Sequence, residues 1–162
     1  MNVWYLHGLE SKAGGPKVDF LRKVSNKVFA PEIKYTNPNT FDDLLNLAKE
    51  DKPDLIIGSS MGGYYADAIA SHFGINVLLF NPALHSRPFN IDLPYGDNYG
   101  TRIFVLGNDD KVIDQETTLE ILRKDKKFLH GNDSAILVPM GHRTPLTKFI
   151  DIYNQNILSE IS

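Results

Sequence analysis

Short apolar runs alternate with segments of helical period along this chain, and that alternation restricts its fold more than any other feature. Each run is apolar on both faces, as a strand is when helices cover both sides of a parallel sheet. Strands that alternate with helices predict an α/β fold with about six mainly parallel strands flanked by helices. The predicted strands are residues 2–6, 27–30, 54–57, 77–80, 102–106 and 135–138.

The segments between the apolar runs have the spacing of amphipathic helices. Phe41, Leu44 and Ala48, for example, recur at the i, i+3 and i+7 positions that share one helix face. No repeat, linker or low-complexity tract interrupts the pattern, so we expect residues 1–162 to form a single domain. We predict helices that begin near Pro16 and near Leu146, and helices over residues 41–48, 62–73 and 115–123.

The composition excludes several classes of protein. The 162 residues include no cysteine, which rules out disulfide scaffolds and fits a reducing cytosol, so we expect a cytoplasmic protein. A net charge of −3, from 17 Lys+Arg against 20 Asp+Glu, gives no general attraction to nucleic acid. The longest apolar runs are far shorter than the roughly 20 residues of a membrane-spanning helix. No metal-ligand, phosphate-loop or dinucleotide motif is present, so we expect neither a metal nor another cofactor.

The most specific motif is Gly58-Ser59-Ser60-Met61-Gly62, which lies between a predicted strand and a predicted helix. G-x-S-x-G in this setting is typical of a nucleophile elbow, a tight turn that exposes a reactive serine at the end of a strand. The turn forces a strained backbone on Ser60, and side chains at Gly58 and Gly62 would collide with it. We therefore predict that Ser60 is the nucleophile of an acyl-transfer reaction.

A serine nucleophile needs a base, and in folds with this elbow the chain order is Ser, then Asp or Glu, then His. Of the five histidines, only His142 follows the last predicted strand, on a glycine-flanked turn. We therefore predict that His142 is the base. The other four precede the nucleophile, the acid or the last strand: His7, His72, His85 and His130.

The acid is expected in the turn after the fifth predicted strand, where two aspartates are adjacent. Asp110, three residues after Gly107, is our choice. Asp109 remains an alternative, because a turn or helix-cap role explains either residue equally well. Asp114 fits better as the N-cap of the following helix.

The same edge of the sheet should supply an oxyanion hole, which needs two backbone N–H groups. One comes from the residue after the nucleophile, Met61, and we expect the other from Leu9, in the loop after the first strand. The long connection at residues 81–101 leaves the same edge, and connections of this length are commonly functional. Its apolar side chains are candidates for lining an open substrate site: Leu84, Phe89, Ile91, Leu93 and Tyr95.

Four segments together resemble a known family. They are YLHGLES at residues 5–11, IGSSMGGYYA at 57–66, NPA at 81–83 and GHR at 141–143. In this order they are similar to the YqiA-like small esterases of the α/β-hydrolase superfamily. The resemblance implies a minimal α/β-hydrolase fold without a lid domain and a triad on Ser60, Asp110 and His142. Members of that family tend to carry Phe where this chain has Leu9, a difference that leaves the backbone N–H of Leu9 in place.

These features predict a serine esterase that hydrolyses small acyl esters or thioesters through a covalent acyl-enzyme, as a monomer or a homodimer. The alternative is a non-catalytic binding or interaction protein on the same scaffold, because a fold alone does not establish activity. Covalent labelling of an activated serine distinguishes the two hypotheses.

Overall fold

One parallel sheet organises the structure. The computed structural model describes residues 1–88, 91–125 and 132–159. The strands of this part of the chain are β1 (Asn2–Leu6), β2 (Lys27–Phe29), β3 (Leu55–Ser59), β4 (Asn76–Phe80), β5 (Arg102–Gly107) and β6 (Ser134–Val138). They form a six-stranded sheet in the order β2-β1-β3-β4-β5-β6, and all neighbouring strands are parallel. The predicted fold class is confirmed.

Helices cover both faces of the sheet. Within the described residues they are α1 (Pro16–Val24), α2 (Thr40–Asp51), α3 (Met61–Ala70), α4 (Gln115–Lys124) and α5 (Leu146–Tyr153), and a π-helical turn (Asn154–Leu158) extends α5. Every helix predicted from the sequence is present. None of the helices in the described ranges is long and apolar enough to cross a membrane.

Helix α3 is shorter than its apolar pattern predicts. It ends at Ala70, whereas the sequence suggested Phe73. The N–H of Gly74 donates to the carbonyl of Ala70 (3.0 Å), and Gly74 has a φ of 69°, the left-handed conformation that commonly closes a helix. The α-helix therefore ends before Phe73, whose side chain is exposed.

Successive strand residues pack on opposite faces of the sheet, and this alternation divides the core in two. On one face, Trp4 and Leu6 of β1 pack in a cluster that includes residues of α2, α3 and α4. On the other face, Val3 and Tyr5 pack in a cluster that includes residues of α1 and α5. Because helices bury both faces, the strands have the continuous apolar runs seen in the sequence.

The order of the strands reverses between β1 and β3. On one side of β1 lies β2, whereas β3, β4, β5 and β6 follow one another on the other side. In open α/β sheets, ligands bind outside the carboxyl ends of the strands at such a switch point. Ser60 directly follows β3, and residues 7–9 directly follow β1. Both segments therefore lie where this architecture forms a site.

Candidate active site

Ser60 occupies a strained turn between β3 and α3. Its φ of 54° and ψ of −117° lie in a backbone region that residues with side chains rarely adopt. The Ser60 N–H donates to the carbonyl of Phe80 (3.0 Å). The Ser60 carbonyl accepts from the N–H groups of Tyr64 (3.1 Å) and Ala83 (3.0 Å). Such strain persists only where the surrounding structure imposes it, and it clusters at functional sites.

Gly58 and Gly62 allow the turn to pass close to other backbone atoms. A Cβ on Gly62 would lie 2.0 Å from the carbonyl oxygen of Leu6 and 2.6 Å from that of His7. A Cβ on Gly58 would lie 2.4 Å from the carbonyl oxygen of Gly62. The close approach of α3 to β1 and β3 therefore requires glycine at both positions.

His142 and Asp110 are in direct contact at the carboxyl edge of the sheet. The Nδ1 atom of His142 lies 2.8 Å from Oδ2 of Asp110. The other carboxylate oxygen accepts from the N–H groups of Val112 (2.8 Å) and Ile113 (2.9 Å), and 1% of the Asp110 side chain is exposed. Because an ionised carboxylate only accepts hydrogen bonds, we assign the proton to Nδ1 of His142. Its Nε2 is then left with a lone pair.

The neighbouring aspartates have other contacts. The Asp109 side chain is 72% exposed, and its carboxylate lies 3.0 Å from the ammonium group of Lys111 on the surface. Asp114 accepts from the N–H of Thr117 (3.0 Å) and caps α4, as its position in the sequence predicted. Of the candidate acids, the structure brings Asp110 to His142 and directs Asp109 into solvent.

The loop that carries His142 folds back over the sheet toward β3. Asn81, directly after β4, donates its side-chain amide to the carbonyl oxygens of Gly141 (3.1 Å) and His142 (2.9 Å). Since β4 is the neighbour of β3, these bonds hold the His142 backbone beside the strand that leads to Ser60. Within the described residues, the Ser60 hydroxyl and the His142 imidazole share no hydrogen bond. The sequence analysis named Asn81 only as part of the NPA segment and gave it no role, although its place at the end of a strand on the functional edge was an available signal.

The two predicted oxyanion-hole amides have no protein partner among the described residues. The Met61 N–H belongs to the first turn of α3, where backbone donors lack an acceptor within the helix and favour negative charge. The Leu9 N–H lies in the loop after β1. A Cβ on Gly8 would lie 3.4 Å from the Cβ of Ser60, so this loop is adjacent to the candidate nucleophile.

His7 orients the loop that carries Leu9. Its Nε2 accepts from the N–H of Ile33 (2.9 Å), and its Nδ1 lies 2.6 Å from the carbonyl oxygen of Gly8. Both nitrogens of this buried ring are therefore engaged by the backbone. The C=O and N–H of a trans peptide point in opposite directions, so the Leu9 N–H points away from His7.

Two further histidines bind carbonyl groups of loops. The Nε2 atom of His72 lies 2.8 Å from the carbonyl oxygen of Pro94, and that of His85 lies 3.2 Å from the carbonyl oxygen of Asp114. His130 lies outside the described residues.

The connection at residues 81–101 has no regular secondary structure in its described part. Tyr64 of α3 holds its middle, because the Tyr64 hydroxyl donates to the carbonyl of Ile91 (3.2 Å) and accepts from the N–H of Leu93 (3.0 Å). The side chains of Leu84 and Leu93 are partly buried against the core. Phe89, another predicted lining residue, lies outside the described ranges.

Tyr95 contacts α3 at a greater distance from Ser60. Its hydroxyl donates to Asp67 (3.0 Å), about two helical turns or roughly 10 Å along the axis from Ser60. Burial raises the pKa of Asp67 to about 6, and the positive charge of Arg102, 3.7 Å from the carboxylate, opposes that rise. The far end of the connection is therefore anchored on a buried charged cluster that is separate from the Asp110–His142 pair.

The chain matches a family defined by sequence. The pattern of the uncharacterised protein family UPF0227 matches residues 2–93. The UPF0227 protein of Vibrio parahaemolyticus is 30% identical over an alignment of 150 positions, and the match covers 75% of this chain and 83% of that protein.

Solved structures share the fold at low sequence identity. An alpha/beta hydrolase enzyme from a Medee basin deep-sea metagenome library has a TM-score of 0.65 at 19% identity, covering 98% of this chain and 81% of that one. The monoacylglycerol lipase of Paleococcus ferrophilus has a TM-score of 0.70 at 13% identity, with coverages of 98% and 93%. The fold is that of the α/β hydrolases. Within that class, the chain belongs to the UPF0227 family, in agreement with its resemblance to YqiA-like proteins.

Proposed function

We propose that this protein is a serine hydrolase that cleaves small acyl esters or thioesters. The observation that carries the proposal is the 2.8 Å contact between Asp110 and His142 at the edge of the sheet where Ser60 occupies its strained turn. In this assignment Ser60 is the nucleophile, His142 is the general base, and Asp110 holds the imidazole in the tautomer that leaves Nε2 free. The exposed position of Asp109 favours Asp110 as the acid.

The proposed reaction proceeds by two acyl transfers. Nε2 of His142 removes the proton of the Ser60 hydroxyl as its oxygen attacks the ester carbonyl. The carbonyl oxygen becomes negatively charged and accepts hydrogen bonds from the Leu9 and Met61 amides. When the intermediate collapses, the alcohol or thiol leaves with the proton held by His142. Water then loses a proton to His142 and attacks the acyl-enzyme. The second intermediate collapses as His142 returns that proton to the Ser60 oxygen, which releases the acid and restores Ser60 and His142.

The reaction requires the Ser60 hydroxyl to contact Nε2 of His142, and the two side chains share no hydrogen bond in the described residues. Side-chain rotation supplies it, and catalytic hydrogen bonds commonly tighten only when substrate binds. The bond to Asp110 limits this motion, because it fixes one end of the imidazole while Nε2 approaches the Ser60 hydroxyl.

The edge of the sheet that carries Ser60 presents apolar side chains, which favour an apolar acyl group. Exposed apolar side chains follow three strands at the carboxyl edge: Leu9 in the loop after β1, Val112 in the loop after β5, and Leu146 as the first residue of α5. No helix covers this edge within the described part of the 81–101 connection. Two of the structural neighbours are named for ester hydrolysis, the monoacylglycerol lipase above and a thermophilic esterase from Thermogutta terrifontis with a TM-score of 0.67 at 13% identity, covering 99% of this chain and 89% of that one. These points support short or medium acyl chains in an open site.

Covalent labelling tests the proposal. The protein is treated with a fluorophosphonate probe, and the intact mass is measured for the wild type, Ser60→Ala and Ser59→Ala. Ser59 is the matched control, because it is the adjacent serine at the end of β3. We expect one adduct on the wild type and on Ser59→Ala, and none on Ser60→Ala. A folded wild type that forms no adduct would contradict the proposal and leave a binding role on the same scaffold.

A further inference from the structure

Asn81 connects three strand ends through its side chain. Its amide NH₂ donates to the carbonyl oxygens of Gly141 and His142, and its Oδ1 accepts from the N–H of Gly107 at 2.7 Å. Its own N–H donates to the carbonyl of Val105 (2.9 Å). The side chain therefore joins the end of β4 to the end of β5 and to the histidine loop after β6.

The conformation of Asn81 indicates that these contacts constrain it. Asn81 has a φ of 45°, which places it, like Ser60, among the residues with side chains in the left-handed region. It is 2% exposed, and both polar atoms of its side chain are bonded to backbone groups. A strained backbone with a fully bonded polar side chain persists where the surrounding structure requires it.

The histidine loop depends on Asn81 beyond Met140. Closer to β6, the loops after β5 and β6 are joined directly, because the N–H of Asn108 donates to Val138 (3.0 Å) and the N–H of Asp109 donates to Met140 (3.1 Å). Past this point, among the described residues, the Asn81 amide is the donor bonded to the carbonyls of Gly141 and His142. It thereby sets the position of the backbone from which the imidazole projects.

We infer that Asn81 is a positioning residue that holds the His142 backbone so that Nδ1 of the imidazole meets Asp110 and Nε2 is directed toward Ser60. The inference rests on the proposed function, because the position of His142 affects the reaction only if His142 is the base for Ser60. Asn81 itself touches neither the substrate nor the reacting atoms. It acts through the two backbone carbonyls that its amide binds. Its Oδ1 binds the N–H of Gly107 and so holds the start of the loop that carries Asp110.

Two substitutions separate the amide from the backbone conformation. Asn81→Gly removes the side chain and tolerates the positive φ without strain. Asn81→Asp is nearly isosteric and still accepts from Gly107, but it presents an oxygen to two carbonyl oxygens where the NH₂ group stood. The matched control is Asn76→Gly at the opposite end of β4, which removes a side-chain bond to the Thr101 N–H (2.9 Å). This control removes an asparagine side chain and its bond to the backbone from the same strand, far from His142.

The kinetic readout separates positioning from stability. With a p-nitrophenyl butyrate assay, we expect Asn81→Gly and Asn81→Asp to lower kcat by roughly 10- to 100-fold with KM nearly unchanged, since a misplacement of about 1 Å has effects of this size. Thermal melting is measured in parallel, and Asn76→Gly should keep the wild-type kcat even if its Tm falls. Wild-type kcat in both Asn81 variants, or an equal loss of kcat in Asn76→Gly, would overturn the inference.

A second readout does not depend on activity. In the protein labelled with ¹⁵N-histidine, the His142 signals, assigned by comparison with His142→Gln, report which ring nitrogen carries the proton. We expect one tautomer protonated at Nδ1 in the wild type and in Asn76→Gly, and exchange between tautomers in Asn81→Gly. If the wild type fails to react with fluorophosphonate, the proposed function fails, and these spectra still decide whether Asn81 positions His142. Unchanged His142 signals in Asn81→Gly would refute the inference.

Discussion

Replacing Asp110 by Asn is the sharpest test of how the site works. The Asp110 carboxylate binds the N–H groups of Val112 and Ile113 with one oxygen and His142 with the other. An Asn that keeps its oxygen toward the two N–H groups must turn its NH₂ group toward Nδ1 of His142. Nδ1 then has to accept, so the imidazole proton moves to Nε2. An imidazole protonated at Nε2 cannot take the proton of Ser60.

The expected effect is large on catalysis and modest on stability. The wrong tautomer in a Ser-His-Asp triad lowers kcat by about 10⁴-fold, equivalent to about 5.5 kcal/mol at about 1.4 kcal/mol per factor of ten. The two bonds to Val112 and Ile113 remain in Asp110→Asn, so we expect the free energy of unfolding to fall by no more than about 1–3 kcal/mol. The assay is kcat for a soluble p-nitrophenyl ester together with urea unfolding.

The adjacent aspartate provides the control for this test. The Asp109 side chain is 72% exposed, and its contact with Lys111 is a surface ion pair of the kind worth about 0–1 kcal/mol. We expect Asp109→Asn to keep kcat within about twofold, since such a change moves no group at the site. Small and equal losses in the two variants would refute the role of Asp110, and a large loss only in Asp109→Asn would reassign the acid.

Two further predictions concern the scaffold. A Cβ on Gly62 would lie 2.0 Å from a backbone oxygen, whereas a Cβ on Gly8 would meet nothing closer than 3.4 Å. We therefore expect Gly62→Ala to lower the free energy of unfolding by about 3 kcal/mol or more, and Gly8→Ala to lower it far less. Equal urea midpoints for the two variants would contradict this expectation. Burial raises the pKa of Asp67 from 3.8 to about 6, so between these pH values the folded state binds more protons than the unfolded state. The free energy of unfolding therefore falls as the pH rises from about 4 to 6. At about 1.4 kcal/mol per pKa unit, the free energy of unfolding of the wild type should fall by about 3 kcal/mol relative to that of Asp67→Asn. If the urea midpoints of the wild type and Asp67→Asn change in parallel from pH 4 to 6, the raised pKa of Asp67 is contradicted.

The strands and the turn at Ser60 were predictable because their causes are local. Burial on both faces makes each strand a continuous apolar run, and β1 and β5 begin where that pattern predicts. The end of α3 was misplaced because the N–H groups of His72 and Phe73 donate three residues back, to Ile69 and Ala70, so the α-helix ends while the apolar spacing continues. Helix ends depend on such terminal contacts more than on periodicity.

The choice between the two aspartates was beyond local reasoning. Asp109 and Asp110 are equivalent as turn residues, but adjacent side chains project in different directions. Only the path of the loop after β6 decides which of them meets His142. In the structure, the N–H groups of Val112 and Ile113 fix the Asp110 carboxylate inward, and Asp109 is left beside Lys111.

The sequence by itself determined the parallel sheet, the glycine-flanked turn and the chain order of the predicted catalytic residues. Each of these depends only on neighbouring residues or on the order of segments along the chain. The tertiary structure alone decided the contact of Asp110 with His142, which are 32 positions apart, and the support of His142 by Asn81, 61 positions away. Contacts over such separations arise from the way the loops of parallel strands meet at one edge of the sheet. No local pattern encodes the distance between their side chains, because that distance is set by the packing of the whole fold.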